Sequence, residues 1–187
     1  GTTSASVTDM IKRLAEKQLI SYEKYYGVNL SKEGQKLALD LVRKHRLWEV
    51  FLFEKLGFKW DEIHDVAEQL EHIKSSALVQ KLDEFLDYPK FDPHGDPIPN
   101  QNGSFTFRHQ TPLSNIKVKG TRVQILGVKT SEANFLKYLE EIFIYPGKEL
   151  AILDYTHFDK SMILQNEALN TITLSYNVSK EILVKTI

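Results

Sequence analysis

Residues 64–72 read HDVAEQLEH, a short run with four possible metal ligands. On a helix, at about 100° per residue, His64, Glu68, Glu71 and His72 fall within roughly a 100° arc. Ile63, Val66, Ala67, Leu70 and Ile73 take the other side, as a stripe facing a core would. Two carboxylates three residues apart repel each other on a bare helix, and a cation held between them would reverse that sign. Upstream, RKHRLWE sets His45 and Glu49 one helical turn apart, so that a neighbouring helix could face the first cluster. Together the two stretches offer six candidate ligands, His45, Glu49, His64, Glu68, Glu71 and His72. The chain has no cysteine, so the donors are nitrogen and oxygen only. Such a set suits Mn²⁺ or Fe²⁺, while Zn²⁺, Co²⁺ and Ni²⁺ would also bind. The plain alternative is a surface helix rich in Glu and His. A metallohydrolase would need a water-activating base beside an open site, as on an H-E-x-x-H helix. No such motif occurs, and the chain is not expected to be an enzyme.

The elements that must carry these residues follow from periodicity. The opening GTTSASVTDMIKRLAEKQLI has Val7, Met10, Ile11, Leu14, Leu19 and Ile20 at helical spacing behind small hydroxylated residues, which suit an N-cap. SYEKYYGVNL places β-prone residues on either side of Gly27 and reads as a hairpin. Ser31 can cap a long apolar-rich helix that runs through RKHRLWE to Gly57. WDEIHDVAEQLEHIKSSALVQKLDEFLDY holds two more helices, broken near Ser75 and Ser76. YPKFDPHGDPIPNQNGS then packs four of the chain's six prolines into eleven residues and reads as a linker. Beyond it come short β-rich pieces, VKGTRVQILGV, KELAILDY, SMILQ, TITLSYNV and EILVKTI, with one helical interruption at ANFLKYLEEI. A small barrel or sandwich fits them. The order helix, hairpin, long helix is that of a winged helix-turn-helix from its recognition helix onward.

Composition bounds the rest. At 187 residues, 42% apolar and 26% charged, the chain is an ordinary globular protein with room for two small domains. No run of about 18 apolar residues exists to cross a bilayer, and no basic, apolar leader opens the sequence. The absence of cysteine suits a reducing compartment, so the expected location is the cytoplasm. The net charge of −1 hides an asymmetry. Residues 1–46 carry nine Lys or Arg against five Asp or Glu, and residues 56–90 carry four against eight. A polyanion is the partner expected for the first part and cations for the second.

Taken together, SASVTDMIKRL, RKHRLWE, HDVAEQLEH and DPHGDPIP, in that order between Thr2 and about Asn100, resemble the diphtheria-toxin-repressor family of iron- or manganese-sensing transcriptional regulators. The last third resembles the SH3-like, FeoA-like domain that many members carry. The resemblance implies a mainly α first part, a winged helix-turn-helix remnant plus a helical dimerisation domain, followed by a small all-β domain. Its boundaries here are 1–30, 31–88, a Pro-rich linker over 89–111, and 112–187. It implies a primary metal site at Glu68, Glu71 and His72 and an ancillary site at His45, Glu49 and His64. In manganese-type members the histidine matching His45 joins the main cluster. Iron-type members carry cysteine where Glu68 stands, which points to Mn²⁺, with Fe²⁺ as the alternative. Some long members complete the ancillary site with an acid and an amide from the SH3-like domain. TSEANF offers Glu132 and Asn134 for these, with Ser131 at the acid's own position. Members begin with further helices that supply more primary-site ligands, so the sequence given is expected to lack part of the DNA-reading domain and of that site.

What the resemblance implies for function is a metal-dependent repressor of metal-ion homeostasis, the cation acting as corepressor on a double-stranded DNA operator. A recognition helix meets bases with its N-terminal residues, here Thr3, Ser4, Ser6, Thr8 and Asp9, with Lys12 and Arg13 one turn on. Lys24, Tyr25 and Tyr26 at the hairpin tip would meet the flanking backbone. Leu78, Leu82, Phe85 and Leu86 form an apolar stripe assigned by analogy to a homodimer interface. The alternative is a metal-independent winged-helix regulator.

Overall fold

The computed structural model describes residues 4–23 and 26–187, and the side chains from Ser6 onward. Thr3, Lys24 and Tyr25, together with the Ser4 side chain, lie outside the described residues. Helix α1 spans Ser4–Glu16 and leads into strands β1 (Ile20–Glu23) and β2 (Gly27–Leu30), which pair antiparallel with Ile20 opposite Leu30. Gly27 turns the hairpin at φ +94°, a conformation that side chains with a Cβ disfavour. Helix α2, Lys32–Glu54, starts on the hairpin. Ser31 caps it by accepting from the Gly34 N–H at 2.9 Å, while its own hydroxyl donates to the Gln18 carbonyl at 2.7 Å. The Ser31 N–H donates to the Leu19 carbonyl at 2.9 Å. A Cβ on Gly34 would collide with that same carbonyl, so the end of α1, the hairpin and the first turn of α2 are held in backbone contact.

Helix α3 covers Ile63–Leu70 and α4 covers Ser76–Phe85, capped by Ser75, whose hydroxyl accepts from Leu78 N–H at 3.3 Å. The expected helix over the HDVAEQLEH run therefore stops early. Glu71 N–H still donates to the Ala67 carbonyl, but Ile73 N–H reaches back only three residues, to Leu70. His72 sits in the turn after the helix and is exposed. On α4, Val79 and Leu82 turn inward and Leu86 follows them into the core, whereas Leu78 and Phe85 are 41% and 64% exposed. The expected four-residue stripe is thus two residues of core and two of surface.

The segment expected to be a linker is packed instead. Asp92, Pro93, His94, Gly95, Ile98 and Pro99 are all buried. Two arginines of α2 staple this segment to the helices. Arg43 pairs with Asp83 on α4 and donates to the Pro99 carbonyl at 2.7 Å, and Arg46 donates to the Pro97 carbonyl and pairs with Asp92 and Asp96. Strand β3, Thr111–Pro112, then opens the second half. It is followed by β4 (Arg122–Val128), α5 (Ala133–Glu141), β5 (Glu149–Tyr155), β6 (Met162–Asn166), β7 (Thr171–Leu174), a four-residue helix α6 (Tyr176–Ser179) and β8 (Ile182–Thr186). The tail of the TITLSYNV run is thus helical rather than extended. All strand pairs are antiparallel in the order β3-β8-β4-β5-β6-β7, with bulges at Ile125/Gly127 and Ile152/Asp154. One apolar cluster runs from Leu47 and Leu52 of α2 through Trp60 and Ile63 to Ile125, Ile152 and Val184 of the sheet.

Candidate metal centre

Helices α2 and α3 lie side by side so that His45, Glu49 and His64 face one another. His45 Nε2 is 3.0 Å from Glu49 Oε1 and 3.1 Å from His64 Nδ1, and His45 Nδ1 is 2.7 Å from Glu71 Oε2. A carboxylate thus stands within hydrogen-bond distance of each His45 ring nitrogen, an arrangement that favours the protonated ring. Burial opposes that charge, but Glu49 and Glu71 outweigh it and raise the pKa above the usual histidine value. Glu49 is 2% exposed. Burial alone would raise its pKa, yet His45 and His94 hold it well below the usual carboxylate range.

Glu49 also faces a second group. Asp92 and His94, both buried, come from the DPHGDP turn, and the His94 Nδ1 lies 3.5 Å from Glu49 Oε1. The ligand atoms of His45, Glu49 and His64 all lie within 4.8 Å of one another, and so do those of Glu49, Asp92 and His94. Donors about 2.1–2.4 Å from one ion can be at most about 4.2–4.8 Å apart, a limit that each group meets by itself. Asp92 Oδ1 accepts from the N–H groups of His94 and Asp96, each at 2.9 Å, and Arg46 lies 3.3 Å from Oδ2. Burial, then the charge on Glu49, pushes the Asp92 carboxyl up to about 7. The pKa of His94, which burial would lower, is raised by Glu49 and Asp92. His94 Nε2 is buried with no hydrogen-bond partner among the described residues. Two buried carboxylates beside an unmatched imidazole nitrogen are costly unless a cation joins them. The nitrogen and oxygen donors fit a divalent ion of the manganese or iron kind.

A cavity of about 560 Å³ contains both groups and also reaches Glu68 and Glu71. Five of the six ligands expected from the sequence thus line one space. His72 does not line it, because the helix ends before His72. Glu132 and Asn134 do not line it either. Glu132 caps α5, accepting from the N–H groups of Asn134 and Phe135, and the Asn134 amide donates to Glu132 at 2.9 Å. From that loop, Lys129, Thr130 and Ser131 line the cavity instead. Asp92 and His94 were missed by the sequence reading. Their signal was a histidine between two aspartates in DPHGDP, masked by prolines that mark a loop.

On α1, Ser6, Thr8, Asp9, Lys12 and Arg13 are exposed, and Asp9 and Arg13 pair across one turn at 2.9 Å. None of them lines the cavity.

Comparison with known proteins adds the following. A family model described as iron dependent repressor, metal binding and dimerisation domain matches residues 31–100, and one described as FeoA domain matches residues 111–186. The diphtheria toxin repressor of Corynebacterium jeikeium is 33% identical over 94 residues, 50% of this chain and 39% of that protein. The HTH-type transcriptional regulator MntR of Oceanobacillus iheyensis is 36% identical over 88 residues, 47% of this chain and 59% of that protein. The chain matches less than two thirds of the length of these curated relatives. A solved structure of a manganese-dependent transcriptional repressor in complex with manganese superposes with a TM-score of 0.78 at 31% identity, covering 100% of this chain and 86% of that one. That of the manganese regulator SloR does so with a TM-score of 0.70 at 35% identity, covering 85% of its chain.

Proposed function

Since this chain belongs to the diphtheria-toxin-repressor family of iron- and manganese-dependent transcriptional regulators, we propose that it is a repressor that couples the supply of a divalent cation to the occupancy of a DNA operator. The observation that carries the reading is Glu49, a buried carboxylate shared by two ligand groups, His45 with His64 on one side and Asp92 with His94 on the other. Glu68 and Glu71 extend the first group, and His72 is kept as a ligand whose partners would come from outside the cavity. Mn²⁺ is the preferred cation and Fe²⁺ the alternative, because every donor is oxygen or nitrogen.

A bound divalent ion supplies the positive charge that lets Glu49, Glu71 and Asp92 share the cavity as carboxylates. The protein's part is transmission. His45 and Glu49 stand on the same unbroken helix as Gly34, about 17 and 22 Å along its axis from the backbone contact with Leu19. Whatever fixes α2 against α3 and the 92–96 turn therefore fixes α1, whose exposed Ser6, Thr8, Asp9, Lys12 and Arg13 are the proposed DNA-facing residues. A coupling of about 1–3 kcal/mol would change operator occupancy by roughly 5- to 150-fold. Homodimerisation through the exposed Leu78 and Phe85 is part of the proposal, Phe85 packing edge-on to Phe51 at 6.1 Å.

The test is selection from a random duplex pool with Mn²⁺ and with chelator, alongside Mn²⁺ titration of the chain and of Glu49→Ala. The expected outcome is enrichment of a short palindrome only with Mn²⁺, and loss of Mn²⁺ affinity by more than about 100-fold in the variant. Equal enrichment in chelator would instead favour the metal-independent regulator.

A further inference from the structure

His94 owes its place to a contact made without side chains. Behind it, the DPHGDP turn lies directly on the bulge of β4. Gly95 is at φ +94°, and a Cβ there would stand 2.9 Å from the Gly127 Cα and 3.0 Å from the Leu126 carbonyl. Conversely, a Cβ on Gly127 would fall far inside van der Waals distance of the His94 carbonyl, with the Gly95 Cα only 2.6 Å away. The approach is sealed by hydrogen bonds. The Val128 N–H donates to the His94 carbonyl at 2.8 Å, and Arg108 donates to the Leu126 carbonyl at 2.7 Å. In front, the Trp60 indole lies nearly parallel to the His94 ring at 6.0 Å, and the Trp60 backbone N–H donates to Glu140 of α5 at 2.6 Å. The backbone of the β-sheet half thus sets where the turn carrying Asp92 and His94 can stand, while Glu49 is set by α2.

We infer that Gly127 is a positioning residue for the Glu49–Asp92–His94 group. It donates no ligand, and its missing side chain is what lets β4 hold the His94 main chain at the depth where the ring meets Glu49. The inference rests on reading that group as a metal site. It makes the sheet half a structural wall of the site, although Glu132 and Asn134 do not line the cavity. By linkage, an ion held by Glu49, Asp92 and His94 favours the docked arrangement by the same factor by which docking favours the ion. The other group, His45 with Glu49 and His64, lies between α2 and α3 and makes no use of β4.

The experiment is Mn²⁺ titration of the whole chain, followed by the paramagnetic resonance of free Mn²⁺. The variants are His64→Ala, His94→Ala, Gly127→Ala and Arg108→Met. His64→Ala and His94→Ala identify the two groups. Gly127→Ala is expected to weaken the group that His94→Ala abolishes by about 10-fold or more, leaving the one that His64→Ala abolishes within about twofold. Arg108→Met, which adds no atoms at the contact, is expected to shift the same group in the same direction by a smaller factor, and it decides the matter if Gly127→Ala does not fold. Wild-type affinity at the His94 group in a folded Gly127→Ala, or equal weakening of both groups, overturns the inference. A chain whose Mn²⁺ binding is untouched by His94→Ala overturns the metal-site reading and the inference with it.

Discussion

At the scale of single residues, protons would compete with the proposed cation for the cavity. His45 and His94 resist charge through burial, but the carboxylates around them win and raise both pKa values, while Asp92 keeps its proton up to about 7. Metal ligation needs neutral rings and an ionised carboxylate, so every proton held is one the cation must displace. A raised pKa means more protons bound at a given pH, and competition therefore begins above the 6.5 or so of an unperturbed histidine. Mn²⁺ affinity is expected to fall at each step from pH 8 to 7 to 6. Calorimetry at pH 7 in buffers of different ionisation enthalpy should detect proton release on binding. An affinity flat across that range would contradict this account. The five candidate donors His45, Glu49, His64, Glu68 and Glu71 that line the cavity were legible in the sequence because helical spacing makes a face visible in one dimension. Asp92 and His94 were not, because they converge on Glu49 through a turn that returns to α2 from more than forty residues downstream. Nothing local in DPHGDP announces that return.

At the scale of elements, periodicity revealed the helices and most strands, since each buries one stripe or one face. It failed where polar staples override composition. The proline-rich stretch reads as a solvated linker, yet Arg43 and Arg46 draw it onto α2. Arg43 and Asp83 are each under a tenth exposed, so removing one strands the other without a counter-charge. Arg43→Met is expected to cost about 3–5 kcal/mol in urea denaturation, and adding Asp83→Leu to recover most of it, because the orphaned carboxylate is the larger part of the cost. A double variant no more stable than the single one would place the cost in the lost Pro99 contact instead.

At the scale of the molecule, the expectation of two separately cored domains meets one apolar cluster that runs through Trp60 from the helices into the sheet. Thermal melting is accordingly expected as one transition, raised as a whole by Mn²⁺; two resolved transitions would separate the halves. Phe85, 64% exposed beside Phe51, belongs to this scale too, since the proposed homodimer would bury it. Phe85→Glu is expected to shift sedimentation from dimer to monomer with little change in helicity, and an unchanged sedimentation coefficient would move the interface elsewhere.

The bare backbone of Gly34 against Leu19 leaves no cushion between the long helix and the hairpin. A tilt of α2 by only about 5° about His45 would sweep Gly34, about 17 Å away, through roughly 1.5 Å. With no side chain between Gly34 and the Leu19 carbonyl to absorb it, the proposed repressor would work as a lever whose input is an ion's coordination shell.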